Sequence, residues 1–245
     1  MSTKEGMLEV RDLAVQYGAI SAVKGISFGV HAGEIVTLIG ANGAGKTSAL
    51  NAISGMVSYT GTIFYKGQNL RGVPPHRIVA MGIAHVPEGR GIFGNLTVME
   101  NLRIATWQRK DKAGVRNDFQ RVFEFFPRLK ERVNQPGGTL SGGEQQMLAL
   151  AIAMLHDPEI LMIDELSLGL APIIVQDLLE VVDGLKAAGV TLIIVEQSLN
   201  VAAAIADRAV FLEKGRLRFE GAIRDLMERD DLARAVFLGG GPVEE

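Results

Sequence analysis

Apolar and polar positions change period several times along the chain, and the changes divide it into predicted elements. Residues 7–15, 22–30 and 59–65 carry β-branched and aromatic side chains with turn residues between them, which predicts an antiparallel portion near the amino terminus. Residues 34–39 read as a buried strand, and the continuous apolar run 160–164 as a second one that ends in a carboxylate. From about residue 96 to 126 strand character gives way to helical spacing, clearest over 117–126, and Pro127 is expected to stop it. Another helical run, headed by Ser141-Gly142-Gly143, extends through Leu155. Strands alternating with helices predict an α/β fold with a mostly parallel sheet wrapped by helices. Glycine and proline cluster at 86–91 and 135–138, on either side of the helical stretch, and read as hinges between two lobes.

Composition narrows the partners. The 245 residues suffice for one large core, or for one domain with an inserted lobe. Twenty-eight acidic against 25 basic residues leave a net charge of -3, which provides no global electrostatic reason to bind nucleic acid. The longest apolar stretch, 147–155, is far short of the roughly twenty residues that cross a bilayer, and the amino terminus has no signal-peptide core. The chain is therefore expected to stay in the cytosol and to meet a membrane only through another protein. With no cysteine, disulfides, thiolate metal sites and a cysteine nucleophile are excluded.

The candidate chemistry sits at the ends of the predicted buried strands. Gly40-Ala41-Asn42-Gly43-Ala44-Gly45-Lys46-Thr47 follows the first of them. Its glycines take backbone angles closed to other residues, so that amides approach phosphate oxygens, and the next helix adds its positive end. Lys46 is placed to reach the β- and γ-phosphates, and the Thr47 hydroxyl to enter a Mg²⁺ shell. The second strand delivers Asp164 to the carboxyl edge, where open parallel sheets gather ligands. Asp164 fits the Mg²⁺ side, and Glu165 is placed to take a proton from an attacking water, a role worth about 10² to 10⁴ in rate. The plain alternative is that the two acids cap a helix. Ser141-Gly142-Gly143 forms a second anion-attracting helix start, and a twofold pair would let each subunit's Ser141 turn close over its partner's phosphate loop. Locally, Ser141 and Glu144 also read as a capping box, which leaves the two glycines unexplained.

The order of these motifs, with Leu140-Ser141-Gly142-Gly143-Glu144-Gln145 between the phosphate loop and Asp164-Glu165, resembles the ATP-binding subunits of ABC transporters. The wording from Leu38 to Thr47, Val86-Pro87-Glu88-Gly89-Arg90 and Ser167-Leu168-Gly169-Leu170-Ala171-Pro172 is similar to the LivF-type ATPase of branched-chain amino acid importers, over nearly the whole chain. This resemblance implies a single ABC ATPase domain over 1–245. Its P-loop NTPase (RecA-like) core, with an antiparallel β portion, would span about 1–90 and 157–240, and an inserted helical lobe about 91–156. It implies ATP and Mg²⁺, with Thr47 and Asp164 on the metal. Gly40, Asn42, Gly43, Ala44, Gly45, Lys46, Thr47 and Ser48 would lie on the nucleotide, as would Tyr17, stacked on adenine, and Ser141, Gly142 and Gly143. Glu165, Lys46, Gln197 and Glu88 would be the catalytic set. The implied partners are a second ATPase subunit, usually a different chain, two membrane-spanning permease subunits and, indirectly, a periplasmic or extracellular substrate-binding protein. The implied place is the inner face of the cell membrane.

Several positions depart from the commoner ABC pattern. Glu88 stands for a glutamine and only accepts hydrogen bonds, so it is expected to face Mg²⁺, water or Arg90 rather than a phosphate oxygen. Gln197 stands for a switch histidine; its amide can donate to the γ-phosphate but carries no charge. Leu166 replaces a proline and Ile152 an arginine. Glu88 and Gln197 both match the LivF type. A slow-hydrolysing regulatory partner stays open as an alternative, as do urea, short amides or other amino acids as cargo.

Overall fold

Strands that are buried at every position can be satisfied only between two layers, and the three central strands of this fold are of that kind. The computed structural model describes residues 6–107 and 109–229, with Leu232 and Val236. Residues 1–5 and 237–245, part of the expected domain span, lie outside the described residues.

β1 (Gly6–Tyr17) and β2 (Ile20–His31) pair as an antiparallel hairpin in which Tyr17 faces Ile20 beside the turn. β3 (Ile35–Ile39) and α1 (Lys46–Ile53) then enter the interior. β4 (Thr60–Tyr65) returns to the free edge of β1 and carries the two-residue β5 (Gln68–Asn69), so the first sheet runs β2-β1-β4-β5 and is antiparallel. This is the expected amino-terminal portion, with strand ends one or two residues longer at most positions.

α2 (Pro75–Ala80) leads to β6 (Ile83–Val86), after which four helices follow: α3 (Val98–Thr106), α4 (Lys112–Phe125), α5 (Pro127–Glu131) and α6 (Gly142–Met154). The predicted helical stretch is thus two helices. Pro127 ends α4 as expected but also opens α5, because its fixed φ and missing N–H suit the first helical position. β7 (Ile160–Asp164), α7 (Pro172–Ala187), β8 (Thr191–Glu196), α8 (Leu199–Ile205), β9 (Arg208–Glu213), β10 (Arg216–Ala222) and α9 (Ile223–Met227) complete the order. The second sheet runs β10-β9-β3-β8-β7-β6, parallel from β9 to β6 with β10 antiparallel at one edge.

Alternation along the central strands divides the core in two. Ile35, Ile39, Leu161, Ile163, Leu192 and Ile194 face a cluster that includes residues of α3 and of α6 to α8. Val36, Leu38, Met162, Ile193 and Val195 face the other, shared with β1, β2, β4 and α1. All eleven side chains have no accessible surface. The sheet is therefore held from both sides, and its carboxyl edge is a rigid platform.

The two glycine-proline segments are tied together. Gly137 N donates to Leu96 O at 2.8 Å and Gly138 N to Gly94 O at 2.9 Å. Arg90 donates to Gln145 Oε1, and Gln145 Nε2 to Gly137 O at 3.3 Å. Buried Asn101 on α3 donates to the carbonyls of Phe93, Leu96 and Thr97 and accepts from Phe93 N, so its side chain ties the approach segment to α3.

Candidate active site

The sheet order brings three chain segments to one edge. β8 lies between β3 and β7, with Ile39 opposite Glu196 and Asp164 opposite Val195, so the ends of the three strands are level. The phosphate loop, Glu165 and Gln197 leave from those ends.

Backbone geometry shapes the loop. Gly40 has φ 155°, and a Cβ there would come within 2.2 Å of Leu212 O. Gly45, the N-cap of α1, has φ 102°, and a Cβ would come within 2.6 Å of Ala22 O. Side chains are excluded at both positions. Asn42, Gly43, Ala44, Gly45, Lys46, Thr47 and Ser48 line a cavity of ≈ 540 Å³. Tyr17, Glu88, Glu165 and Gln197 also line it, with Leu168 of the Ser167-Leu168-Gly169 motif and with Ile20, Ser21 and Ala22, which the sequence had not singled out. Tyr17 is 44% exposed at the mouth, so its ring face is available to a flat base.

Lys46 is buried, with Nζ donating to Gly40 O at 2.7 Å and Ala41 O at 3.1 Å. Burial pulls its pKa down, against the opposing pull of Glu165, Asp164, Glu196 and Glu88. Asp164, 1% exposed, accepts from Thr47 Oγ1 at 3.2 Å through Oδ1, while Oδ2 has no partner. Burial pushes its carboxyl up to about 6, with the Thr47 hydrogen bond opposing. No cluster of three or more His, Cys, Asp or Glu side chains placed to hold a metal occurs among the described residues. A threonine hydroxyl and one carboxylate with an orphaned oxygen suit Mg²⁺, which takes few protein ligands and completes its shell with phosphate and water.

Glu165 has φ 56°, a left-handed turn that interrupts the alternation of β7. Its Oε1 accepts from Gln197 Nε2 at 2.6 Å, and its Oε2 is buried without a partner. Gln197 thus bonds the carboxylate here. Glu88 is exposed at the rim, and its charge reaches both Lys46 and Asp164. The expected Glu88–Arg90 contact is not the one formed by Arg90, whose guanidinium goes to Gln145.

Ser141, Gly142 and Gly143 do not line this cavity. Ser141 caps α6: its Oγ accepts from Glu144 N at 3.3 Å, and Ser141 N donates to Glu144 Oε2 at 2.9 Å. The capping box is as expected. The glycines have a packing role that the sequence had hidden. A Cβ on Gly143 would sit 2.2 Å from Ile174 Cγ2 of α7, and one on Gly142 would sit 3.2 Å from Arg90 Nη2. Leu166, in the place of the usual proline, is fully buried, and Ile152 packs at the margin of the helix-side cluster.

A family model described as ABC transporter matches residues 23–167. The chain belongs to the ABC transporter family. It is 45% identical over 96% of its length, and the whole of the relative, to the high-affinity branched-chain amino acid transport ATP-binding protein BraG of Pseudomonas aeruginosa. It is 34% identical to the probable branched-chain amino acid transport ATP-binding protein LivF of Archaeoglobus fulgidus, over 91% of this chain and 95% of that one. The crystal structure of the ADP conformation of an ATP-binding cassette of an ABC transporter superposes with a TM-score of 0.83 at 24% identity, covering 96% of this chain and 99% of that one. That likeness shows the fold, a P-loop ATPase cassette. One buried acid beside the site escaped the sequence reading: Glu196, 2% exposed, ends the apolar run of β8 much as Asp164 ends that of β7. A carboxylate closing a wholly buried strand is the signal that could have found it.

Proposed function

We infer that this chain is the ATP-hydrolysing subunit of an ABC importer for branched-chain amino acids. The observation that carries the ATPase reading is the convergence of Lys46, Thr47, Glu165 and Gln197 on one cavity, with Asp164 bonded behind Thr47. The identities with BraG and LivF support the cargo. The phosphate-loop amides and Lys46 bind the triphosphate, Lys46 by leaving the carbonyls of Gly40 and Ala41. Thr47 and Asp164 would hold Mg²⁺, which supplies charge neutralisation at the phosphate oxygens. Glu165, on the cavity wall, accepts the proton of the attacking water, while Gln197 holds its carboxylate through Oε1. Tyr17 stacks on the base, and Glu88 faces the site from the rim.

The Ser141 turn lies outside the cavity, so each site is completed by the Ser141-Gly142-Gly143 turn of another subunit, a second and different ATPase in our reading. The residues from about 91 to 156 form the helical lobe, and permease subunits dock there and place the ATPase on the inner face of the membrane. No helix among the described residues is long and apolar enough to cross a membrane.

The test is a complex purified with its partners and reconstituted in vesicles. ATP-driven uptake of labelled leucine, isoleucine and valine is expected, and Glu165→Gln should lower turnover by about 10² or more with nucleotide binding retained. Uptake of urea or short amides in preference to these amino acids would refute the cargo; an undiminished rate in Glu165→Gln would refute the base.

A further inference from the structure

The buried carboxylate of Glu196 has no part in the reading above, yet it lies between two segments that do. Its Oε1 accepts from Ser167 N at 2.9 Å and its Oε2 from Ser167 Oγ at 3.0 Å. Burial raises its pKa, opposed by the bonds from Ser167 and by the backbone amides of Gln197 and Ser198. No lysine or arginine among the described residues forms an ion pair with it. An ionisable group at the end of an apolar strand costs free energy to bury, and leucine or valine would fit the strand pattern better. What the carboxylate provides is a two-point clasp on Ser167.

That clasp closes a ring. Ser167 is two residues beyond Glu165, Glu196 directly precedes Gln197, and Gln197 Nε2 donates to Glu165 Oε1 at 2.6 Å. Two short covalent links and two sets of hydrogen bonds therefore hold the base, its orienting amide and the start of the Ser167-Leu168-Gly169 loop as one unit. Glu165 sits in a left-handed conformation, φ 56°, which neighbouring contacts must sustain. Beyond the clasp the loop turns outward, with Leu168 51% exposed at the cavity and Gly169 at φ 70°.

We propose that Glu196 is a positioning residue for ATP hydrolysis: by clasping Ser167 it holds Gln197 and Glu165 in register and makes the orientation of the base depend on the position of the exposed Leu168 loop. The inference rests on Glu165 being the base. A contact made by that loop with another protein would move Ser167, and through Glu196 the amide that holds the carboxylate.

The experiment measures kcat and KM for ATP, nucleotide affinity and Tm in the reconstituted complex, with Glu165→Gln in parallel. Glu196→Met, which fills the space without accepting a hydrogen bond, should lower kcat by roughly 10- to 100-fold, the scale of a misplaced catalytic group, with KM and nucleotide affinity changed less than about twofold. Glu196→Gln should recover part of the loss, since its oxygen accepts from Ser167 N and its amide donates to Ser167 Oγ. Combining Glu196→Met with Gln197→Ala should cost little more than the larger single change, because both break the same ring. Full activity in Glu196→Met, equal losses in the Met and Gln variants, or strict additivity with Gln197→Ala would overturn the proposal. If Glu196→Met does not fold, Ser167→Ala carries the test, expected to lower kcat and to be relieved by Ser167→Thr; an unaltered kcat there is equally fatal. An inactive Glu165→Gln beside a normal Glu196→Met would sink this inference alone, whereas an active Glu165→Gln would sink the site reading beneath it.

Discussion

Adjacent carboxylates at 164 and 165 have different surroundings, and our reading gives them different uses. Asp164 is buried and shares one oxygen with Thr47, and burial pushes its carboxyl up to about 6, so below that pH a proton competes with any cation for it. Stabilisation of the protein by Mg-ATP, read as a rise in Tm, should therefore weaken as pH falls through about 6 and lose its Mg²⁺ dependence in Asp164→Asn. His85 on β6 supplies a second titration. Both its ring nitrogens are buried without partners, and burial pushes its pKa from 6.5 down to about 4. The folded state thus resists protonation more than the unfolded one. Its contribution is fully present above pH 6.5 and is lost progressively down to about 4. Denaturant titrations should show wild type losing stability across that window relative to His85→Gln, with the difference flattening above it. At this scale the gathering of Lys46, Thr47 and Glu165 at one cavity, with Asp164 on Thr47, was legible in the sequence from motif spacing. The clasp of Glu196 on Ser167 was not, because the two are 29 residues apart and only strand order brings them together.

Element packing explains residues whose type looked purely chemical. Gly143 sits in a helix start that reads as an anion cradle, yet Ile174 of α7 occupies the space of a Cβ. Gly143→Ala should destabilise the protein by about 1–3 kcal/mol, the usual range for overpacking, and Ile174→Ala in the same chain should restore much of the loss. Thermal melts of the two single variants and the double variant check this. Failure of the second change to compensate would mean that the glycine serves something other than the α6–α7 contact. The strand positions were readable from their period, since β3 is apolar except for Thr37, β7 is apolar up to the closing Asp164, and the amino-terminal strands alternate. Pro127 shows the limit of local reading: the same constraint that ends α4 starts α5, and only the following contacts choose.

For the whole molecule, the nucleotide cavity and the Ser141 turn are separate places on one chain, which is why a second subunit is needed in our reading. Ile173 at the start of α7 is 69% exposed, and Leu168 nearby in sequence is 51% exposed, apolar surface that pairing would cover. Glu165→Gln with Mg-ATP should form a stable two-ATPase assembly in analytical ultracentrifugation, and Ile173→Glu should abolish it with Tm unchanged. An assembly indifferent to Ile173→Glu would place the interface elsewhere. The α/β class, the phosphate loop and the acids on the second strand were set by the sequence alone, because period, glycine geometry and charge at a strand end are local properties. The level strand ends, the Gln197–Glu165 bond, the Glu196–Ser167 clasp and the packing demand on Gly143 were decided by tertiary structure, because each joins residues that the chain keeps far apart until the β3-β8-β7 order is made.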